Sequence, residues 1–173
     1  MVGLEWPSTF VRKVFKSLFI HNQKFKSMSK VSTYLNFPNT TEKAFNFYKA
    51  VFQTEFTGVG ILRFGDMHHD PDSAPHPGFG NLVMHVELPI TGGHSLMGTD
   101  APEDLGFHLQ SGNNVHINLQ PDSRSETQRL FDALSEGGKI TIPLDDTAWG
   151  AYFGSCTDKF GINWMFNFNE HKN

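Results

Sequence analysis

From residue 31 onward, apolar and polar positions alternate along the chain. Val31, Thr33, Leu35 and Phe37 fall on one side, and Ser32, Tyr34 and Asn36 on the other. This is the period-two pattern of a strand with one buried face. Asn39, Thr40, Thr41 and Glu42 then read as a helix start, with an Asn cap answered by an acid three positions on. Ala44, Phe47, Tyr48, Val51 and Phe52 recur at helical spacing and mark the apolar face of that helix. Residues 54–64 are rich in strand formers, and Gly58 and Gly60 suggest a bend or bulge among them. Residues 65–80 read as a loop dense in His, Asp, Pro and Gly. Residues 81–90 and 94–99 flank a Gly92-Gly93 turn and read as a hairpin, followed by a second loop over 100–111.

The order then repeats. Residues 113–119 read as a strand, Ser123 to Glu126 as a second capping box, and Leu130, Phe131 and Leu134 as a helix face. Gly137-Gly138 ends that helix, and residues 139–144, 151–156 and 162–168 supply three more strands. A strand, a capped helix and three strands, twice over, is an internal duplication at the level of pattern. The expected architecture is α+β. Two βαβββ modules, about 31–100 and 112–169, each form a mixed sheet backed by one helix and together make a cupped, barrel-like mixed sheet around a ligand cavity.

Composition narrows the function classes. A chain of 173 residues is one domain in length and buries a real core. Its 17 phenylalanines suit curved sheets that need bulky filler. A net charge of −4 argues against a general nucleic-acid binder. Cys156 stands alone, so it forms no internal disulfide, which fits a reducing, cytoplasmic setting. No apolar run reaches the length of a membrane span.

The charge is uneven. Residues 1–30 carry Arg12, Lys13, Lys16, Lys24, Lys26 and Lys30 against Glu5 alone, with Phe10, Val14, Phe15, Leu18 and Phe19 at helical spacing. Such a leader suits a targeting or membrane-surface segment. An accessory basic extension outside the core is the expected alternative. The stretch carries no cleavage signal, and Met28 sits directly before the first strand.

Several stretches resemble one family. Tyr34 to Phe37 and Glu42 to Phe52 are similar to the opening of PhnB-like proteins. The closing stretch is more specific: Gly138-Lys-Ile140, Trp149, Tyr152-Phe-Gly154, Thr157-Asp-Lys-Phe-Gly161 and Trp164-Met165. The resemblance covers about residues 31–169. It implies the paired βαβββ fold of the glyoxalase/bleomycin-resistance/dioxygenase, or vicinal-oxygen-chelate, superfamily, often assembled as a homodimer. Some relatives carry the label of a ubiquinone-pathway methyltransferase. Here Gly58-Val-Gly60 lies within a predicted strand and not at a strand-to-helix turn, so methyl transfer is not expected.

Metal-using members of the superfamily draw ligands from the first, fourth, fifth and eighth strands. Alternation places Ser32, Tyr34 and Asn36 of the first strand towards the cavity, with Asn114, His116 and Asn118 of the fifth, whose Val115, Ile117 and Leu119 are assigned to the core. The fourth strand ends in Asp100. Met165 stands where the superfamily usually has a glutamate, with Asn167 on the same face. One histidine, one carboxylate, amides, a phenol and a thioether make a poor set for zinc, iron or nickel, so no cofactor is expected, with a divalent metal as the alternative. The loop cluster His68, His69, Asp70, Asp72 and His76 has suitable ligand types, but its spacing matches no strong pattern, and it reads as a solvated loop.

The candidate ligand-binding residues are Tyr34, Asn36, Asp100, His116, Asn118, Trp149, Tyr152, Met165 and Asn167. They combine flat apolar surface with a few hydrogen-bonding tips, the usual composition of a small-molecule pocket. Trp149 and Tyr152 would stack on a planar ligand, and His116 is the candidate catalytic acid/base. Duller readings stand beside these. Trp149 and Trp164 suit core or dimer contacts, Asp158 suits a turn held by backbone N–H groups, and Cys156 has no neighbouring base. Two functions follow. One is a glyoxalase-like lyase, isomerase or transferase in which His116 moves a proton. The other is a non-catalytic protein that binds or sequesters a small molecule, as bleomycin-resistance proteins do.

Overall fold

The computed structural model describes residues 30–67 and 78–170. The basic extension before Lys30 and the His68–His76 cluster lie outside the described residues. Residues Val31–Asn173 form one compact unit. Its strands are β1 (Thr33–Phe37), β2 (Leu62–Arg63), β3 (Val83–Pro89), β4 (Ser95–Asp100), β5 (Ile117–Leu119), β6 (Lys139–Asp146), β7 (Ala151–Thr157) and β8 (Asn163–Asn169). Its two α-helices are α1 (Thr41–Phe52) and α2 (Arg124–Ser135).

The strands make two four-stranded sheets with matching topology, β1-β4-β3-β2 and β5-β8-β7-β6. In each, the first and last strands of the module pair in parallel and the other pairs are antiparallel. The duplication read from sequence is therefore present strand for strand. The sheets stay separate and cupped, and do not close into a barrel.

Helix α1 forms because Thr41, Ala44, Phe45, Tyr48 and Val51 make one buried stripe along it. Phe45, absent from the sequence-predicted face, is fully buried against Gly98 of β4, where a Cβ would collide with its ring. The predicted Asn39 cap is not used. The N-cap is Thr40, without a side-chain cap bond, and the Thr41 N–H donates instead to Asp100 Oδ1 at 3.0 Å. In α2 the predicted cap holds, since Ser123 Oγ accepts from the Glu126 N–H. Arg129 of α2 reaches across the module boundary and donates to the Val51 carbonyl at 2.9 Å, in the last turn of α1.

Two other expectations change. Residues 54–64 form a strand only at Leu62–Arg63, because Gly58 (φ 62°) and Gly60 (φ 80°) take the left-handed region and turn the chain. Val115 precedes β5 and is exposed, so it is not a core residue.

The core is continuous between modules. Tyr48 and Phe52 of the first module meet the Trp164 ring of the second, while Phe37 and Phe47 meet Phe160. At its centre Asp158, buried, accepts four hydrogen bonds: Tyr48 Oη (2.7 Å), Trp164 Nε1 (2.8 Å), Phe160 N (2.8 Å) and Ile162 N (3.0 Å). The turn-shaping role expected of Asp158 is present, and a tie between modules is added to it.

Candidate functional site

Residues directly opposite one another in paired strands share a face. Tyr34 faces Met97, Met97 faces Glu87, and Asn36 faces Thr99. These residues line the face of the first sheet away from α1, whereas Leu35, Phe37, Leu96, Val86 and Leu88 pack beneath the helix. His85 lies two positions before Glu87 on the same face, and its Nδ1 is 3.4 Å from Tyr34 Oη. Burial pushes the His85 imidazole below its ordinary range, with Glu87 opposing, and pushes the Tyr34 phenol up, with a bond to Thr99 opposing. His85 was not among the sequence candidates. Alternation along β3, counted from the buried Val86 and Leu88, carries the signal that would have found it.

In the second sheet Asn118 faces Met165, Met165 faces Ser155, and Asn167 faces Phe153. These four side chains beyond Asn118 share its face, and Trp149, largely exposed in the β6–β7 turn, leans edge-on against Phe153 at 6.4 Å. Met165 and Asn167 thus share one face of β8.

Two sequence candidates lie on the opposite side. Asp100 faces Phe37 in register and is buried under α1. Both its oxygens are occupied by backbone donors, Thr41 N on Oδ1 and Val83 N (2.8 Å) on Oδ2, so it completes a helix end and does not face a ligand space. Tyr152 turns towards α2, where its hydroxyl donates to Gln128 and the Arg124 guanidinium lies 3.7 Å over its ring. It is buried and offers no stacking surface on the Met165 face.

His116 and Asn118 enter a cavity of about 440 Å³ between the modules. The first module contributes Thr33 at the start of β1 and His94 after the β3–β4 turn, and the second adds Gln120. The Thr33 hydroxyl and His94 Nε2 are 2.9 Å apart. Tyr34, Asn36, Trp149, Met165 and Asn167 do not line this cavity. The structure thus joins His116 and Asn118 to two residues that the sequence reading missed. Thr33 was assigned to the buried side of β1, and His94 to an ordinary hairpin strand.

Cys156 is fully buried, and burial beside Asp158 pushes its thiol up to about 12, so it is not an activated nucleophile. Among the described residues, no three His, Cys, Asp or Glu side chains gather as a metal needs. Thioether and amide at the facing Met165 and Asn118 positions do not fit a resident first-row metal.

Two cupped βαβββ sheets backed by helices are the architecture of the glyoxalase/bleomycin resistance/dioxygenase domains. Within that class the chain belongs to a particular family. Residues 29–166 match the family model described as 3-demethylubiquinone-9 3-methyltransferase. The chain is 30% identical over 143 residues to Protein YjdN of Escherichia coli strain K12, a match covering 79% of this chain and 93% of YjdN. It superposes on protein PA1353 of Pseudomonas aeruginosa with a TM-score of 0.68 and 32% identity, covering 82% of this chain and 98% of PA1353. The PhnB protein of Bacillus cereus, described as a putative 3-demethylubiquinone-9 3-methyltransferase, shares the fold at 24% identity and a TM-score of 0.64, covering 81% of this chain and 99% of that one.

The family description implies a methyl donor. Gly58 and Gly60 lie in the turn between α1 and β2, not where a strand opens into a helix to dock a nucleotide-bearing cofactor. These residues do not fit such a group.

Proposed function

We propose that this chain binds one small oxygenated metabolite in the cavity between its modules. The observation that carries the reading is the meeting of His116 and Asn118 from one module with Thr33 and His94 from the other around a single ligand-sized space. Hydrogen-bonding tips on rigid strand ends beside the apolar Ile117 and Leu119 suit recognition of a compact molecule with polar and apolar ends. Calorimetric titration with a panel of small carbonyl and carboxyl compounds tests it. His116→Ala is expected to weaken any ligand bound by the parent protein at least tenfold. Unchanged affinity in His116→Ala, with the fold intact by circular dichroism, rejects the reading.

A second reading, lyase, isomerase or transferase chemistry, is favoured by the Tyr34–His85 pair. An imidazole held neutral beside a phenol is a proton acceptor next to a donor able to steady a developing oxyanion. In this reading a second copy of the chain covers the open Tyr34 face. Edge strand β6, with Ile140 and Ile142 exposed, supplies apolar surface for a homodimer. Light scattering at a dimer mass, reduced to monomer by Ile140→Lys with Ile142→Lys, would support this assembly. A monomeric parent protein would reject it.

A further inference from the structure

We infer that the inter-module cavity selects an oxyanion, a carboxylate or phosphate carried on a compact apolar body. The inference rests on the proposal that this cavity is the ligand site, and it adds the charge class of the ligand.

The polar part of the lining is Thr33, Thr91, His94, His116, Asn118 and Gln120. Every one of these side chains has a hydrogen to donate, and among the described residues none of the lining is an acid. The three described segments that form the walls are the start of β1, the β3–β4 turn and the run through β5, and among the described residues the titratable groups of the lining are the two imidazoles. A cation entering this space would meet no counter-charge. An anion meets hydrogen-bond donors from both modules.

The donors are also available. Among the described residues, the side chains of His116, Asn118 and Gln120 have no hydrogen-bond partner, and the His94 ring is engaged only through Nε2. Its bond to the Thr33 hydroxyl fixes the ring and leaves Nδ1 free among the described residues. Ile90, Ile117 and Leu119 give the rest of the wall an apolar character, which suits the body of a ligand whose head is the oxyanion. The net negative charge of the chain makes this acid-free lining a local exception.

The test uses one ring carrying different heads: benzoate, phenyl phosphate, benzamide and benzylamine, titrated calorimetrically into the full chain. Benzoate or phenyl phosphate is expected to bind at least tenfold tighter than benzamide, and benzylamine no tighter than benzamide. The stronger of the two anions identifies the head as carboxylate or phosphate. His94→Gln and His116→Gln, which keep a neutral donor and much of the side-chain volume, are expected to bring the anion down to the benzamide level while benzamide changes less than threefold. If benzamide or benzylamine matches the anions in the parent protein, oxyanion selection is wrong. Loss of benzamide binding in His116→Ala would then still support the cavity as a ligand site. If none of the four binds at millimolar concentration, both the selection and the site are wrong.

Discussion

Tyr48 donates its hydroxyl hydrogen to Asp158 at 2.7 Å, although the two residues stand 110 positions apart and belong to different modules. The same Asp158 oxygen accepts Trp164 Nε1, and the other accepts two backbone N–H groups of its own turn. A buried carboxylate with all its acceptor sites used is stable only while every donor stays in place.

Tyr48→Phe removes one of these donors and little volume. It is expected to cost about 1–3 kcal/mol, the usual penalty for an under-satisfied buried group. Urea denaturation checks the size. A midpoint equal to that of the parent protein would show that the tie contributes nothing.

Alkaline pH should weaken the fold in two stages. Burial raises the Tyr48 phenol above its ordinary 10.0 and the Cys156 thiol from 9.0 to about 12. Above pH 9 the unfolded chain releases the thiol proton, and above pH 10 the phenol proton, while the folded chain keeps both. The unfolded state then binds fewer protons, so stability falls as pH rises. Cys156→Ala is expected to flatten the first stage and Tyr48→Phe the second, read from urea midpoints between pH 8 and 10.5. Iodoacetamide at pH 8 should modify Cys156 only at the rate of unfolding.

Asp100→Ala leaves two buried backbone N–H groups, on Thr41 and Val83, without acceptors. The expected loss is about 2–5 kcal/mol from two unmet donors. Asp100→Asn restores one acceptor but sets an amide NH₂ against the second N–H, so it should recover less than half. Thermal and urea unfolding of both variants measure the difference. Equal stability of Asp100→Ala and the parent protein would disprove the capping role.

The His85 ring should titrate below pH 6.5 when followed by NMR, because burial disfavours its cation. Glu87 works against burial there, so Glu87→Gln should lower the midpoint further. As pH falls through 6.5 the unfolded chain takes up the proton first, so this site contributes stability at neutral pH that is lost on acidification. A midpoint at or above 6.5 contradicts the buried setting.

Much of the fold was legible because both signals that write it are local. The alternation of Leu35 and Phe37 against Tyr34 and Asn36 gave β1 its faces, and the Ser123–Glu126 box set the start of α2. The more specific part of the family likeness lay in the second module, where Trp164 and Asp158 occupy the core tie. Misreadings came where a distant residue replaced a local partner. Asp100 caps α1 from the end of β4, so Asn39 is idle and Asp100 is unavailable to a ligand. Tyr152 turned to α2 because Gln128 and Arg124 meet it there, contacts set by packing and not by spacing. Thr33 and His94 escaped notice because their shared cavity exists only once two modules meet.

The Phe45 ring abuts Gly98, and the strand that carries Gly98 presents Met97 and Thr99 to the opposite side. That arrangement gives the open sheet a stiff back: β4 has no slack in which to sink or buckle without lifting the whole of α1. Adjustment to a guest on that side must come from rotating side chains such as Tyr34 and Met97, while the backbone behind them acts as an anvil.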